Sequence, residues 1–163
     1  MTRWGGWVLA ALLVPAVAPA NEVLADRVLV KKSERMLYLL KAGTVIGRYE
    51  IALGLMPEGH KSREGDYRTP EGDYQLTSRL VDSDYFMAIQ VSYPNAADKA
   101  HAAALGVPPG GQIMIHGQPG EPKRSAAYYD TFDWTDGCIA VSNAAMVDIW
   151  QLTAENTPIT IEP

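Results

Sequence analysis

From Arg27 onward the chain runs in short apolar segments separated by polar ones, and most of the segments are too short for helices. Arg27 to Lys31 and Met36 to Leu40 are rich in Val and Leu, and Ala42-Gly43 offers a turn into Thr44 to Leu53. That pattern predicts an opening antiparallel meander. Further β-like runs follow at Tyr74 to Thr77, Tyr85 to Tyr93, Gln112 to Ile115, Cys138 to Val141 and Ile159 to Ile161. Stretches dense in Gly, Pro and Asp divide them, as turns require. Two segments carry helical signals. Ala96 to Leu105 is alanine-rich and is stopped by Gly106 and Pro108-Pro109, while Ser142 or Asn143 can cap a helix through Leu152 with Met146, Ile149 and Trp150 on one face. The expectation is a mainly β domain, a sandwich or barrel with a few short helices.

The first twenty residues depart from this pattern. Arg3 supplies a positive start, Trp7 to Val17 is mostly apolar, and Ala18-Pro19-Ala20 is a small-x-small cleavage site before Asn21, with a second possible cut after Ala25. The apolar run is broken by Pro15 and falls short of the roughly twenty residues that span a bilayer. Residues 1–20 therefore read as a signal peptide and residues 21–163 as one exported domain, in the periplasm or cell envelope, without a stable membrane anchor. The chain carries 14 Lys and Arg against 19 Asp and Glu, a formal charge of −5, and becomes more negative once Arg3 is removed. That balance argues against nucleic acid and anionic membrane surfaces as main partners.

Export changes the meaning of Cys138, the one cysteine in the sequence. Structural cysteines in oxidising compartments come in pairs, and a single one can close no disulfide within its chain. It follows Thr135-Asp136-Gly137, where a glycine lets backbone amides face a developing oxyanion. Upstream, the apolar run Gln112 to Ile115 ends on His116-Gly117. A histidine aimed from the end of a strand can take a thiol's proton or hold it as an ion pair, and the following glycine lets the chain turn so that backbone groups orient the imidazole. The same residues also fit a buried cysteine after an ordinary Asp-Gly turn and a histidine that closes a strand. His60, His101 and His116 are scattered and no metal-ligand spacing is present, so no metal and no cofactor are expected.

Taken together, His116-Gly117 and Thr135-Asp136-Gly137-Cys138 resemble the signature of the L,D-transpeptidase family with the YkuD-type catalytic domain. Lys61-Ser62-Arg63-Glu64-Gly65-Asp66-Tyr67-Arg68-Thr69-Pro70-Glu71-Gly72, Ser92-Tyr93-Pro94-Asn95 and Pro109-Gly110-Gly111 extend the likeness over nearly the whole mature chain. Two positions depart from the common pattern: Asp136 stands where most members carry a second histidine, and Ala140 where many carry arginine or asparagine.

The resemblance implies a YkuD-like β fold and a cysteine acyltransferase acting on peptidoglycan stem peptides. Cys138 would be the nucleophile, His116 the general base and proton donor, Gly117 the residue that orients His116, and Gly137 and Asp136 the backbone oxyanion hole. Lys61, Arg68, Thr135 and Trp134 are candidate substrate contacts, with Arg63, Lys123 and Arg124 as further cations for a carboxylate-bearing substrate. Tyr128, Tyr129, Phe132 and Trp134 either line a cleft or pack beneath it. The acyl acceptor is left open between a stem-peptide amine, an amine of an envelope protein, and water, which would make the enzyme a carboxypeptidase or murein hydrolase. A wall-binding module without catalysis is the alternative of a different class.

Overall fold

Strict alternation in the first apolar segments builds one side of a sheet, as seen in a computed structural model that describes residues 23–163. The signal-peptide reading of residues 1–20 lies outside the described residues. In β1 (Arg27–Lys31) Val28 and Val30 are fully buried, and in β2 (Met36–Lys41) Leu37 and Leu39 are. Their neighbours in sequence point to the other face, as the two-residue period of a strand requires. β3 (Thr44–Glu50), β4 (Gly72–Leu80), β5 (Ala88–Val91), β6 (Met114–His116), β7 (Ile139–Ala140) and β8 (Pro158–Glu162) complete an eight-stranded sheet in the order β3-β2-β1-β8-β4-β5-β6-β7. β1 with β8 and β6 with β7 are parallel; the other pairs are antiparallel.

The sheet curls until its ends meet. Beyond β3 the chain crosses to the far edge, where Ala52 bridges Ala140 of β7 and Gly54 bridges Thr135. The enclosed core includes Leu37, Leu39, Leu53, Leu76, Ile89, Ile115, Ile139, Ile159 and Ile161, capped by Met146 and Ile149 of α3 (Asn143–Leu152). α1 (Ala96–Ala104) begins with a capping box in which Asn95 accepts from the Asp98 amide and Asp98 accepts from the Asn95 amide. α3 begins on Ser142, which accepts from the Ala145 amide.

The mainly β expectation holds, and the deviations from it fall at β3 on one edge of the sheet and at β5 to β7 toward the other. The expected strand from Thr44 to Leu53 stops as a strand at Glu50, since the chain there leaves β2 to reach β7. Tyr85 to Tyr93 contracts to Ala88–Val91, with Tyr85 held by a single bridge to Pro119. Gln112 has φ +55° and stays outside β6, and Cys138 precedes β7 rather than opening it. α2 (Ala126–Thr131), capped by Ser125, was not expected; six residues carry too little periodicity to signal a helix.

Closure depends on glycines. An added Cβ at Gly54 would lie 2.1 Å from the carbonyl oxygen of Tyr67 and 3.1 Å from Cα of Gly137. Gly43 lies in a left-handed turn with nothing within 4 Å of such a Cβ. Gly54→Ala should therefore cost about 3 kcal/mol through a clash that backbone cannot relieve, whereas Gly43→Ala should cost about 1 kcal/mol for its conformation alone. Urea unfolding of both variants checks this, and a Gly54→Ala midpoint no lower than that of Gly43→Ala would contradict it.

Candidate active site

The register of β6 and β7 brings the thiol and the imidazole to one wall. Ile115 pairs with Ile139 and both are fully buried, so His116 and its partner Ala140 lie on the opposite face. Cys138, one residue before Ile139, continues that face beside Met114. A strand spacing of about 4.8 Å and a rise of about 3.3 Å per residue set the Cα atoms of His116 and Cys138 about 8 Å apart, close enough for side chains to converge. Both line a cleft of about 1270 Å³, together with Lys61, Glu64, Tyr67, Tyr85, Gln112, Trp134, Thr135 and Asp136 among others.

The turn that presents Cys138 is built by Thr135. Its side chain is buried; Oγ1 donates to the Cys138 carbonyl (2.8 Å) and accepts from the Gly137 amide (3.1 Å). The Gly137 amide, expected in the oxyanion hole, is thus already engaged. The amides of Asp136 and Cys138 are the donors of this turn with no acceptor among the described residues. Gly137 itself has φ +131°, and an added Cβ would lie 2.6 Å from the Arg68 carbonyl, so only glycine fits. Upstream, Asp133 accepts from the Leu53 amide (2.8 Å) and pairs with Arg35 (2.8 Å), tying this segment to the β1–β2 turn.

His116 is almost wholly buried, at 1% exposure. Its Nδ1 lies 2.7 Å from the Gly117 carbonyl, which fixes Nδ1 as the donor and leaves the lone pair on Nε2. No buried side-chain nitrogen or oxygen among the described residues lacks a partner, so Nε2 opens on the cleft. Gly117 has no room for a side chain: a Cβ would lie 2.6 Å from the Phe86 carbonyl. Burial lowers His116 to about 4. Burial also pushes the Cys138 thiol up, and Asp136 adds to this, against backbone hydrogen bonding and Lys61, which pull it down. Sγ contacts the Gln112 carbonyl at 3.5 Å. Near neutral pH the site therefore rests as thiol and neutral imidazole, suited to proton transfer during attack rather than to a standing ion pair.

The other candidates divide. Trp134 lines the cleft and sets its edge toward His116, with ring centroids 5.6 Å apart. Lys61 lines it too, but its ammonium is held by Asp66 (2.7 Å) and the Arg63 carbonyl (3.0 Å). Asp66 also accepts from the Ser62, Arg63 and Arg68 amides; burial works to raise its pKa, and these partners outweigh it and hold the carboxyl low. Arg68 is not brought to the cleft: its guanidinium lies against Gly59, and only its carbonyl meets the site, at Gly137. Arg63, Lys123 and Arg124 are likewise outside the lining. Tyr129 packs beneath, its carbonyl accepting from Trp134 Nε1 (3.2 Å), while Phe132 is exposed beside α2 and Tyr128 is half-buried against it. Glu71 of the Thr-Pro-Glu-Gly segment is structural, pairing with buried Lys32 (2.8 Å). Ala140 is packed against the Ala52 bridge. The residue missed is Tyr85, whose ring stacks on His116 with centroids 4.0 Å apart and planes 26° apart. No spacing in the sequence connects the two.

Comparison with known proteins places the domain in a family. The L,D-transpeptidase catalytic domain family (YkuD) matches residues 25–161, and the chain belongs to that family. The Escherichia coli K12 protein YafK, itself named for the L,D-transpeptidases, is 28% identical over 88% of this chain and 61% of its own length. The helical cell shape determining protein Pgp2 of Campylobacter jejuni is 31% identical in structure alignment, with a TM-score of 0.63 over 83% of this chain and 46% of that one. The L,D-transpeptidase of Xylanimonas cellulosilytica shares the fold at 17% identity, with a TM-score of 0.54 over 87% of this chain and 62% of that one. The chain thus spans about half to three-fifths of the length of these relatives.

The buried histidine makes stability depend on pH. An exposed histidine titrates near 6.5 and His116 at about 4, so the unfolded chain takes up this proton first as pH falls. The contribution of the neutral imidazole is complete above pH 6.5 and is lost as pH falls from there through about 4, a loss of about 3 kcal/mol. Urea unfolding at pH 7 and pH 4 should show a loss smaller by about that amount in His116→Gln, and equal losses in the two proteins would contradict it.

Proposed function

We propose that this chain is an exported cysteine L,D-transpeptidase acting on peptidoglycan tetrapeptide stems, with residues 1–20 as its signal peptide and residues 21–163 as its catalytic domain. The observation that carries the reading is the convergence of Cys138 and a neutral, oriented His116 on one wall of an open cleft. Membership of the L,D-transpeptidase family supports the substrate class. Ala25, buried and bonded through its amide to the Leu152 carbonyl, supports cleavage ahead of it rather than after it.

In this reading Nε2 of His116 takes the Cys138 proton as Sγ attacks the carbonyl carbon of the third stem residue, and the Asp136 and Cys138 amides receive the oxyanion. The bond to terminal D-alanine breaks, its nitrogen takes the proton from His116, and a thioester remains. An entering amine then gives its proton to His116, the carbon–sulfur bond breaks, and a new amide forms with the thiol restored. Glu64, Asp82, Asp84 and Asp136 line the cleft while its lysine is neutralised by Asp66. That balance supports a cationic acceptor, a stem-peptide or envelope-protein amine, over water.

Cys138→Ala should abolish product formation from a tetrapeptide muropeptide without changing the circular dichroism spectrum, as read by chromatography of the muropeptides. Unchanged turnover would remove the mechanism. With an amine acceptor present, linked product should exceed released tripeptide in the parent, and Asp136→Asn should lower that ratio about twofold or more. Tripeptide in excess at every acceptor concentration would instead establish the carboxypeptidase reading.

A further inference from the structure

We propose that Tyr85 is a positioning residue: its ring clamps the His116 imidazole so that Nε2 stays turned to the cleft that Cys138 also lines. This rests on the thiol chemistry proposed above, although the clamp itself can be measured without any substrate.

The contact is built into the backbone. β5 runs antiparallel to β6 with Ala88 opposite His116, so residues upstream of Ala88 continue past the end of β6. There the two segments are fastened together: Gly117 donates to the Phe86 carbonyl (2.9 Å), Phe86 to the Gln118 carbonyl (2.9 Å) and Gly120 to the Asp84 carbonyl (2.9 Å). The Ser83 hydroxyl accepts from the Tyr85 amide (3.1 Å) and donates to its carbonyl (2.6 Å). Gly117 therefore acts twice, holding Nδ1 through its carbonyl and admitting the Phe86 backbone through its missing side chain.

The imidazole is consequently enclosed on defined sides. Tyr85 covers one face, the Trp134 ring approaches at 67° to the imidazole plane, and Gly117 holds one edge. Nε2 is what remains. A tyrosine face also attracts an imidazolium through its quadrupole, which would favour the charged form. Exclusion of water disfavours it, and His116 titrates well below an exposed histidine, so exclusion prevails. Besides Tyr85, the titratable groups that share the cleft with His116 are Cys138 and Asp136 on the turn before β7, Asp82 and Asp84 on the Tyr85 segment, and Lys61, Glu64 and Tyr67 on the 61–67 loop. None replaces the ring that covers its face.

Nitrogen-15 and proton NMR titration of the three histidines, with His116 assigned through His116→Gln, tests the clamp. In the parent, His116 should hold a proton on Nδ1 alone, and nuclear Overhauser contacts should join its ring to that of Tyr85. Tyr85→Phe should keep both the tautomer and the titration. Tyr85→Ala should move the titration up by about one pH unit or more, mix the tautomers and lower muropeptide kcat about tenfold with KM little changed. A folded Tyr85→Ala protein with the parent's titration and tautomer would overturn the proposal, as would Tyr85→Phe behaving like Tyr85→Ala. If Tyr85→Ala does not fold, the parent's Overhauser contacts and the Tyr85→Phe titration decide the matter, and their failure overturns it equally. An inactive parent with the expected titrations would refute the function and leave the clamp standing.

Discussion

Three backbone segments cross near Gly54 and Gly137 at distances that no side chain tolerates. A Cβ at Gly54 would meet the Tyr67 carbonyl at 2.1 Å, and one at Gly137 would meet the Arg68 carbonyl at 2.6 Å. This crossing is where the two ends of the sheet join, through the Gly54–Thr135 and Ala52–Ala140 bridges. It is also the turn that presents the thiol. Closure of the sheet and placement of Cys138 are therefore one constraint, and loosening it would disturb both.

The proposed chemistry follows from how little water this arrangement admits to His116. His116 is held by a carbonyl, an aromatic face and an aromatic edge, with no carboxylate among the described residues bonded to it. Burial without a counter-charge keeps it neutral, and a neutral imidazole with a fixed tautomer is a base waiting for a proton. The thiol is likewise kept protonated by burial. In the proposed mechanism, charge separates only when substrate carbon is there to receive the sulfur. Asp133 secures the approach to this turn by accepting from Leu53 and pairing with Arg35.

Much of the frame was legible in the sequence because it rests on local rules. The alternation of Val28 and Val30 or Leu37 and Leu39 specifies which face is buried, and Asn95 and Ser142 are strong caps. Three of the boundaries that shifted lie at the site: Gln112 takes a left-handed conformation, Cys138 follows a glycine at φ +131°, and Tyr85 leaves the ladder after one bridge. Such departures from strand geometry at functional positions are not encoded in a local pattern. Cys138 and His116 stood out through their own chemistry. The stacking of Tyr85, the diversion of Arg68 and the prior engagement of the Gly137 amide did not, since each depends on which distant segment is brought alongside.

In the proposed mechanism the donor's acyl group is held as a thioester on Sγ of Cys138. Intact-mass spectrometry of the protein quenched in acid during turnover of a tetrapeptide muropeptide, followed by peptide mapping, tests it directly. The account predicts an adduct on Cys138 equal in mass to the donor without its terminal D-alanine, lost on treatment with hydroxylamine. Release of D-alanine with Cys138 unmodified throughout, when quenched fast enough to catch the first turnover, would contradict it.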